Sequence, residues 1–176
     1  FTLVVNESVP PVLTTDPVAL DFGNVLAGRS VERSFDLNNP SDRPLVLSRF
    51  GLDDPAFVVL SPDLPVTIDP GNLETFQVRF DARHGAQPHV ATLEASTNLG
   101  PILTPMAGRS LWAALAPDAD TLNFGTVLRG KSAQLHLILD NTGTIPVRGA
   151  VAIDDPSFVV EPERFTVEPG LSQELA

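Results

Sequence analysis

One segment of this chain occurs twice in closely similar form, and this repeat restricts the possible fold more than any other feature of the sequence. LDFGNVLAGRS at residues 20–30 recurs as LNFGTVLRGKS at residues 122–132, which is 102 positions later. Asn39 and Asn141 keep the same spacing. A period of about one hundred residues is the length of a small domain and is too long for one unit of a solenoid. We therefore predict a tandem array of one small domain.

Further segments of the repeat follow downstream, and the spacing between their two copies is shorter. DDPAFVV at residues 53–59 answers to DDPSFVV at 154–160, with a spacing of 101, and IDPG at 68–71 answers to VEPG at 167–170, with a spacing of 99. The spacing changes only between the matched blocks, where we expect loops that tolerate deletions.

The register of the repeat also predicts the domain boundaries. Residues 1–15 match the end of the first copy, and we interpret them as the trailing strand and linker of a preceding repeat. Residues 16–109 should form a complete domain, 110–117 a short apolar linker, and 118–176 a second domain without its last two strands. Such a sandwich leaves open strand edges, so we expect a segment of a longer array. The missing strands should come from the same polypeptide or, by donation, from another one.

Composition excludes several classes of function. The net charge is −11, and only 11 Lys and Arg residues are scattered along the chain, which argues against nucleic-acid binding. No apolar run reaches the roughly eighteen residues of a membrane span, so no membrane insertion is expected. There is no Cys, which excludes disulfides and thiol chemistry. We expect a bacterial cell-surface or extracellular protein, with a cytoplasmic location as the alternative.

Alternating apolar and polar residues predict short β-strands throughout. In the first copy we expect eight of them, at about 18–22, 29–38, 44–51, 56–60, 65–69, 73–81, 88–97 and 101–109. Residues 133–139 should form a strand of the second copy. Seven or eight strands with frequent turn signals predict an all-β fold of tandem immunoglobulin-like β-sandwich domains, the last one incomplete. Phe57 and Phe158, which follow Asp-Pro turns, are predicted to be buried.

These residues resemble a known group of domains. The Leu-x-Phe-Gly-x-Val-x-x-Gly opening, the Phe-x-Val step and the Pro-Gly before a Phe-x-Val-x-Phe strand are similar to the ASH domain superfamily. Choice-of-anchor D repeats of bacteria and the major sperm protein domain share that fold. The resemblance covers residues 16–108 and, in part, 118–176. It implies binding and spacer modules of ciliary, centrosomal and secreted bacterial proteins, without catalysis.

Candidate catalytic and metal sites are weak. His84 and His89 lie five residues apart near Asp81, and we predict that they are solvated loop residues and not metal ligands. No catalytic residue and no cofactor are predicted. Asp118 and Asp120 are weak candidates for a calcium site that would stiffen the linker. The repeated Asp-Asp-Pro segments suggest ordinary turns, because Asp-Pro commonly starts one.

The predicted interaction residues are apolar. Trp112 lies between the copies, where we expect it to pack with Leu111 and Leu115 as a hydrophobic plug, the alternative being an exposed contact for a glycan or a partner. The other predicted contact residues are Phe1, Leu3, Val5, Leu171 and Leu175.

Three functions remain open at this point. The first is a non-catalytic rod or filament segment whose protein partners are other copies of itself or adjacent repeats, joined by β-strand addition. The second is a module that recruits a different protein. The third is an accessory domain of a secreted enzyme.

Overall fold

The computed structural model describes residues 12–85 and 88–176, and every regular element in these ranges is a β-strand. The chain divides into two compact units, Phe1–Ser110 and Leu111–Ala176. Within the described ranges, no helix has the length and hydrophobicity that spanning a bilayer requires. The all-β fold class predicted from the alternation is confirmed.

The described part of the first unit contains nine strands in two sheets. One sheet has the order β1-β3-β7-β5 and the other has the order β2-β9-β8-β4-β6. The strands are β1 (Thr15–Asp16), β2 (Leu20–Leu26), β3 (Ser30–Asn38), β4 (Leu45–Gly51), β5 (Phe57–Ser61), β6 (Val66–Ile68), β7 (Leu73–Asp81), β8 (His89–Thr97) and β9 (Gly100–Leu111).

The core of the first unit is built by the inward-facing residues of both sheets. Along β7, Phe76, Val78 and Phe80 are fully buried, because alternate residues of a strand point to the same face. Phe80 packs against Phe22 of β2 and Phe57 of β5, with ring centroids 5.8 Å and 5.0 Å apart. Aromatic rings from both sheets therefore meet in one cluster, as expected for a β-sandwich.

The second unit contains five strands, which are β10 (Leu115–Pro117), β11 (Leu137–Asn141), β12 (Val147–Ala150), β13 (Arg164–Val167) and β14 (Ser172–Leu175). One sheet has the order β10-β11-β14, and the other pairs β12 with β13. The predicted strand at 133–139 is only partly correct, since β11 begins at Leu137. Its first-unit counterpart, β3, pairs along its whole length with β7, whereas β14 faces only the last part of the predicted strand.

The strand register shows that the repeat is structural. In the first unit Leu37 lies opposite Glu74 and Phe35 opposite Phe76. The equivalent pairs of the second unit are Leu139 with Gln173 and Leu137 with Leu175. Each of these second-unit residues lies 102 or 99 positions after its first-unit counterpart, so both units pair the same strands in the same register.

A buried asparagine also recurs with its hydrogen bonds. The Asn39 side chain donates to the carbonyl oxygens of Arg43 and Ile68 at 2.7 and 2.8 Å. The Asn141 side chain donates to the carbonyls of Ile145 and Val167 at 2.9 and 2.7 Å. Each asparagine therefore joins the end of a strand to two other segments, which accounts for its presence in both copies.

The change of spacing from 102 to 101 does not fall in a loop. It lies between Pro44 and Asp53, and in this interval β4 carries a register irregularity between Leu47 and Arg49 where it pairs with β8. The second copy has one residue fewer in the corresponding interval, between Pro146 and Asp154. In the first unit most of this interval is β4, and a β-bulge is one way in which a strand accommodates an extra residue.

Candidate functional site

The two units differ most in the sheet that contains β4 or its counterpart. In the first unit β9 and β8 lie between β2 and β4. In the second unit β12 corresponds to β4 and β13 to β6, while residues 122–128, the counterpart of β2, are not in a described strand. The residues that β8 and β9 cover in the first unit are therefore uncovered in the described part of the second.

An apolar groove of about 280 Å³ opens on the second unit at this place. Every residue that lines it is apolar, and the lining includes Leu122, Phe124, Leu137, Ile153, Phe158 and Leu175. Leu122 is 37% exposed, whereas its counterpart Leu20 is 3% exposed. Phe158 is 48% exposed, whereas Phe57 is 2% exposed.

The prediction that both phenylalanines are buried is thus confirmed for Phe57 and wrong for Phe158. The phenyl rings of Phe124 and Phe158 lie 5.5 Å apart, nearly the 5.3 Å between Phe22 and Phe57, so the aromatic pair itself is formed. Burial of a phenyl ring is favourable by about 1.5–3 kcal/mol per side chain. A segment that covered the exposed rings of the groove would gain free energy of this kind.

The repeated Asp-Asp-Pro turn borders this region. In the first unit both carboxylates bind β8: Asp53 Oδ1 accepts the N–H of Thr92 at 3.1 Å, and Asp54 Oδ2 contacts His89 Nδ1 at 2.8 Å. Asp54 Oδ1 also accepts the N–H of Ala56 at 2.8 Å. The repeated Asp-Asp-Pro predicted only a turn. The role of its two carboxylates in holding β8 was not apparent from the sequence pattern.

The environment of Asp54 favours its ionised form. Partial burial raises the pKa of this carboxyl, but the hydrogen bonds from Ala56 and His89 and the charges of His89 and Arg83 outweigh it, so the pKa lies below its ordinary value. Asp155 has its pKa lowered by the backbone N–H and the hydroxyl of Ser157. Both turns therefore present a carboxylate.

The histidines lie in different environments. The prediction of a solvated loop residue is wrong for His89, which is buried at the start of β8 and packs its ring 5.1 Å from that of Phe80. Its Nε2 has no hydrogen-bond partner among the described residues. His136 Nδ1 contacts the carboxylate of Glu174 in the second unit, and both side chains are exposed.

The described ranges hold no group of three or more His, Cys, Asp or Glu side chains able to bind a metal ion. Asp118, one of the two calcium candidates, uses its Oδ1 to accept the N–H of Ile138 at 2.9 Å. Asp120 is exposed. A calcium site at Asp118 and Asp120 stays an untested prediction.

The predicted interaction residues that the structure describes lie in different environments. Leu175 lines the groove and is buried, while Leu171 is exposed on the turn before β14 and is not part of the lining. The backbone of Trp112 is bound to Thr144: its N–H donates to the hydroxyl at 2.8 Å and its carbonyl accepts the N–H at 2.8 Å. Phe1, Leu3 and Val5 lie outside the described residues.

Comparison with known proteins finds one family model that matches the second unit. Residues 113–176 match the family model of the HYDIN/CFA65/VesB-like Ig-like domain. The resemblance to ASH-type immunoglobulin-like domains is thereby confirmed. No curated protein matches the chain.

Solved structures with a similar fold come from several organisms. SSP-19, an MSP-domain protein like family member of Caenorhabditis elegans, is 16% identical with a TM-score of 0.44, and the match covers 55% of this chain and 99% of that one. The ASH/PapD-like domain 7 of human CEP192 is 14% identical with a TM-score of 0.46, covering 65% and 96%. The VesB protease of Vibrio cholerae is 20% identical with a TM-score of 0.39, covering 56% of this chain and 31% of the protease.

Proposed function

We propose that this chain is a non-catalytic segment of a tandem immunoglobulin-like rod that joins other polypeptides by β-strand addition. The match of its second unit to the HYDIN/CFA65/VesB-like Ig-like domain supports the non-catalytic role. The observation that carries the proposal is the apolar groove of the second unit, because five of its lining residues correspond to buried core residues of the first unit, namely Leu122, Phe124, Leu137, Phe158 and Leu175. Strand addition combines backbone hydrogen bonds with alternate side chains in apolar pockets, and both are available at this groove.

The partner that we propose is another copy of the chain, which would contribute residues 1–11. This segment matches residues 103–113, most of which belong to β9, and β9 lies against β2 in the first unit. An added segment would take the equivalent place beside residues 122–128. Because the contributed segment and the groove are different parts of the chain, the contact would be heterologous, and it would extend into a head-to-tail rod.

The repeat also specifies which side chains of the segment would face the groove. Val4 corresponds to Met106, which is buried, and Val5 corresponds to Ala107, which is exposed. The inward set would therefore be Thr2, Val4, Asn6 and Ser8, which correspond to the buried Thr104, Met106, Gly108 and Ser110. This assignment replaces our expectation for Phe1, Leu3 and Val5, which correspond to outward-facing positions of β9.

Sedimentation velocity of the 176-residue chain over a range of concentrations tests this proposal. The wild type should associate, and Val4→Asp should keep it monomeric because a charge would enter the apolar groove. Val5→Asp is the matched control and should associate like the wild type. A chain that is monomeric at every concentration, or a Val4→Asp variant that associates normally, would contradict the proposal.

A second pair of variants tests the groove side. Val159 lines the groove and is 79% exposed, and Val18 of the first unit is 70% exposed and lies outside it. Val159→Asp should abolish association while Val18→Asp leaves it intact. Because the two valines are similarly exposed, the two substitutions should affect folding to a similar extent. A difference in association between the variants is then not explained by a difference in folding.

We also propose that the chain acts outside the cell or on a bacterial surface. The acidic composition supports this location, since like charges repel one another along an extended array. Immunolabelling of intact and permeabilised source cells tests the location. Labelling only after permeabilisation would contradict it.

A further inference from the structure

The outer face of the sheet β2-β9-β8-β4-β6 carries an unusual pattern along β9. Over residues 101–110 this strand alternates strictly between exposed and buried positions. A sheet with one solvated face normally places polar residues at the exposed positions. In β9 these positions are instead apolar up to the last one, and they are Pro101, Leu103, Pro105, Ala107 and Arg109.

The other sheet of the first unit shows the ordinary pattern. The residues of β7 that alternate with its buried ones point outward, and so do their partners in β3. These outward pairs are Ser30 with Asp81, Glu32 with Arg79, Ser34 with Gln77 and Asp36 with Thr75. All of them are polar, so the two outer faces of the same sandwich differ in chemistry.

The neighbouring strand β8 widens the apolar surface. Val90 lies opposite Ala107, and Thr92 lies opposite Pro105. Val90 is 71% exposed and Leu103 is 60% exposed. We call Val90, Thr92, Leu103, Pro105 and Ala107 the outer stripe. A continuous exposed apolar surface on a folded domain marks a contact site, unlike apolar residues that are scattered singly.

The apolar character of the outer stripe recurs in the repeat. Its three β9 positions are apolar in the other copy of this strand too, where they are Phe1, Leu3 and Val5. Outward positions contribute nothing to the core of their own domain. Their apolar side chains in both copies therefore point to a contact with another molecule.

The two ends of the outer stripe carry opposite charges. Arg109 follows Ala107 at one end, and Glu94 lies opposite Leu103 at the other, and both charged residues are exposed. If two copies pack these faces together with antiparallel β9 strands, Arg109 of each copy lies over Leu103 and Glu94 of the other. Parallel strands would instead bring the two arginines together, and like charges disfavour that arrangement. The stripe is therefore complementary to itself in one orientation.

Two further carboxylates border the outer stripe. Asp21 Oδ1 accepts the N–H of Gly23 at 2.8 Å, and Asp53 Oδ1 accepts the N–H of Thr92 at 3.1 Å. Both carboxylates thus bind the backbone of the first unit. We assign the charged contact between copies to the longer side chains of Glu94 and Arg109.

We propose that the outer stripe is a lateral contact between two copies of this chain, packed face to face with antiparallel β9 strands. The contact is isologous, because the same surface is used on both copies. It goes beyond the proposed rod, since it joins chains side by side and does not use the groove of the second unit.

The size of the outer stripe determines how strong this contact is. Residues of a strand rise by about 3.4 Å and neighbouring strands lie about 4.8 Å apart, so the stripe measures about 20 Å by 10 Å. An area of about 200 Å² is far below the roughly 800 Å² per partner of a stable interface. Free chains should therefore not pair through one stripe in sedimentation, and lateral joining requires many contacts at once.

Multivalent display tests the contact without the rod. Beads coated through the C-terminus with the 176-residue chain carrying Val4→Asp, which removes the proposed segment contact, should aggregate. Flow cytometry counts the aggregated fraction. Adding Leu103→Asp should lower this fraction about tenfold, because a charge would enter an apolar contact. Leu73→Asp is the matched control and should aggregate like the parent, since Leu73 is 52% exposed and belongs to the other sheet.

An exchange of charges tests the orientation. Glu94→Arg and Arg109→Glu should each prevent aggregation, because two copies of the same variant bring like charges together. Beads of the two variants, mixed in two colours, should aggregate with each other, since the mixed contact restores both pairs of opposite charge. A non-specific apolar surface predicts no such rescue, and the rescue also shows that both variants are folded.

Three results would overturn the inference: no aggregation by the Val4→Asp chain, aggregation that Leu103→Asp leaves unchanged, or mixed charge variants that do not aggregate. The rod is tested separately by sedimentation. Bead aggregation by a chain that is monomeric in sedimentation would reject only the rod, and absence of bead aggregation with normal sedimentation would reject only the lateral contact.

Discussion

The buried amide of Asn39 gives the sharpest test of how the first unit is held together. Asn39 is 1% exposed, and its side-chain nitrogen donates to Arg43 O and Ile68 O at 2.7 and 2.8 Å. Asn39→Asp preserves the shape but replaces both donors with a carboxylate oxygen. Two hydrogen bonds of about 1 kcal/mol each are lost, and a charge is left against two carbonyl dipoles at a further cost of about 1–3 kcal/mol. We expect a loss of about 3–5 kcal/mol at neutral pH.

The pH dependence of this loss has a definite sign. The carbonyl dipoles and burial disfavour the ionised form, so the pKa of the introduced carboxyl is raised above its unfolded value of about 3.9. The penalty is therefore full above the folded pKa, and it shrinks as the pH falls toward the unfolded pKa. Protonation restores one donor, so about 1–2 kcal/mol should remain at pH 4.

Hydrogen–deuterium exchange with mass spectrometry measures this effect separately in each unit. Asn39→Asp should speed exchange across residues 30–51 and leave residues 137–175 unchanged, while Asn141→Asp should do the opposite. Asn38→Asp, on the exposed neighbour, is the matched control. If Asn39→Asp were no more destabilising than Asn38→Asp at pH 7, the hydrogen-bond argument would be refuted.

Two further predictions concern the same unit. Asp54→Asn should reduce the free energy of unfolding by about 1 kcal/mol at neutral pH. The pKa of Asp54 is lowered from 3.8 because its partners outweigh its burial, so urea unfolding should show the difference from the wild type closing as the pH falls below that value. A difference that is independent of pH would argue against the His89 contact. Gly108→Ala would place a Cβ 2.8 Å from Phe80 Cε1. The expected loss is about 1–3 kcal/mol, seen as a lower midpoint of thermal unfolding by circular dichroism, and Gly51→Ala, with its nearest atom at 3.8 Å, should have little effect.

Alternation along the chain was sufficient to predict most strands of the first unit. β3, β4 and β7 agree with their predicted ranges within a residue, because each has one buried and one exposed face. The prediction for β2 ended at residue 22, but the strand continues to Leu26 through Gly23. The glycine and asparagine at 23–24 are typical of a turn, so the pattern predicted that the strand ends before them. The strand continues because it pairs with its neighbour β9.

The candidate site could be predicted only in part, since it depends on contacts between distant segments. Phe158 has the same local sequence as Phe57, and its exposure follows from the absence of a covering strand in the described second unit. The His89–Asp54 pair joins residues 35 positions apart, which no local pattern reveals. The repeated Asp-Asp-Pro was the available signal, and pairing it with the start of β8 required the sheet order.

The central claim is that the groove of the second unit accepts a strand beside residues 122–128. Amide exchange of these residues at low and high chain concentration tests it most directly, with β2 (Leu20–Leu26) as the internal reference in the same spectra. We predict fast exchange at low concentration, at least tenfold slower exchange in the associated state, and no slowing for Val4→Asp. Exchange at 122–128 that is independent of concentration, or that slows equally in Val4→Asp, would contradict the claim.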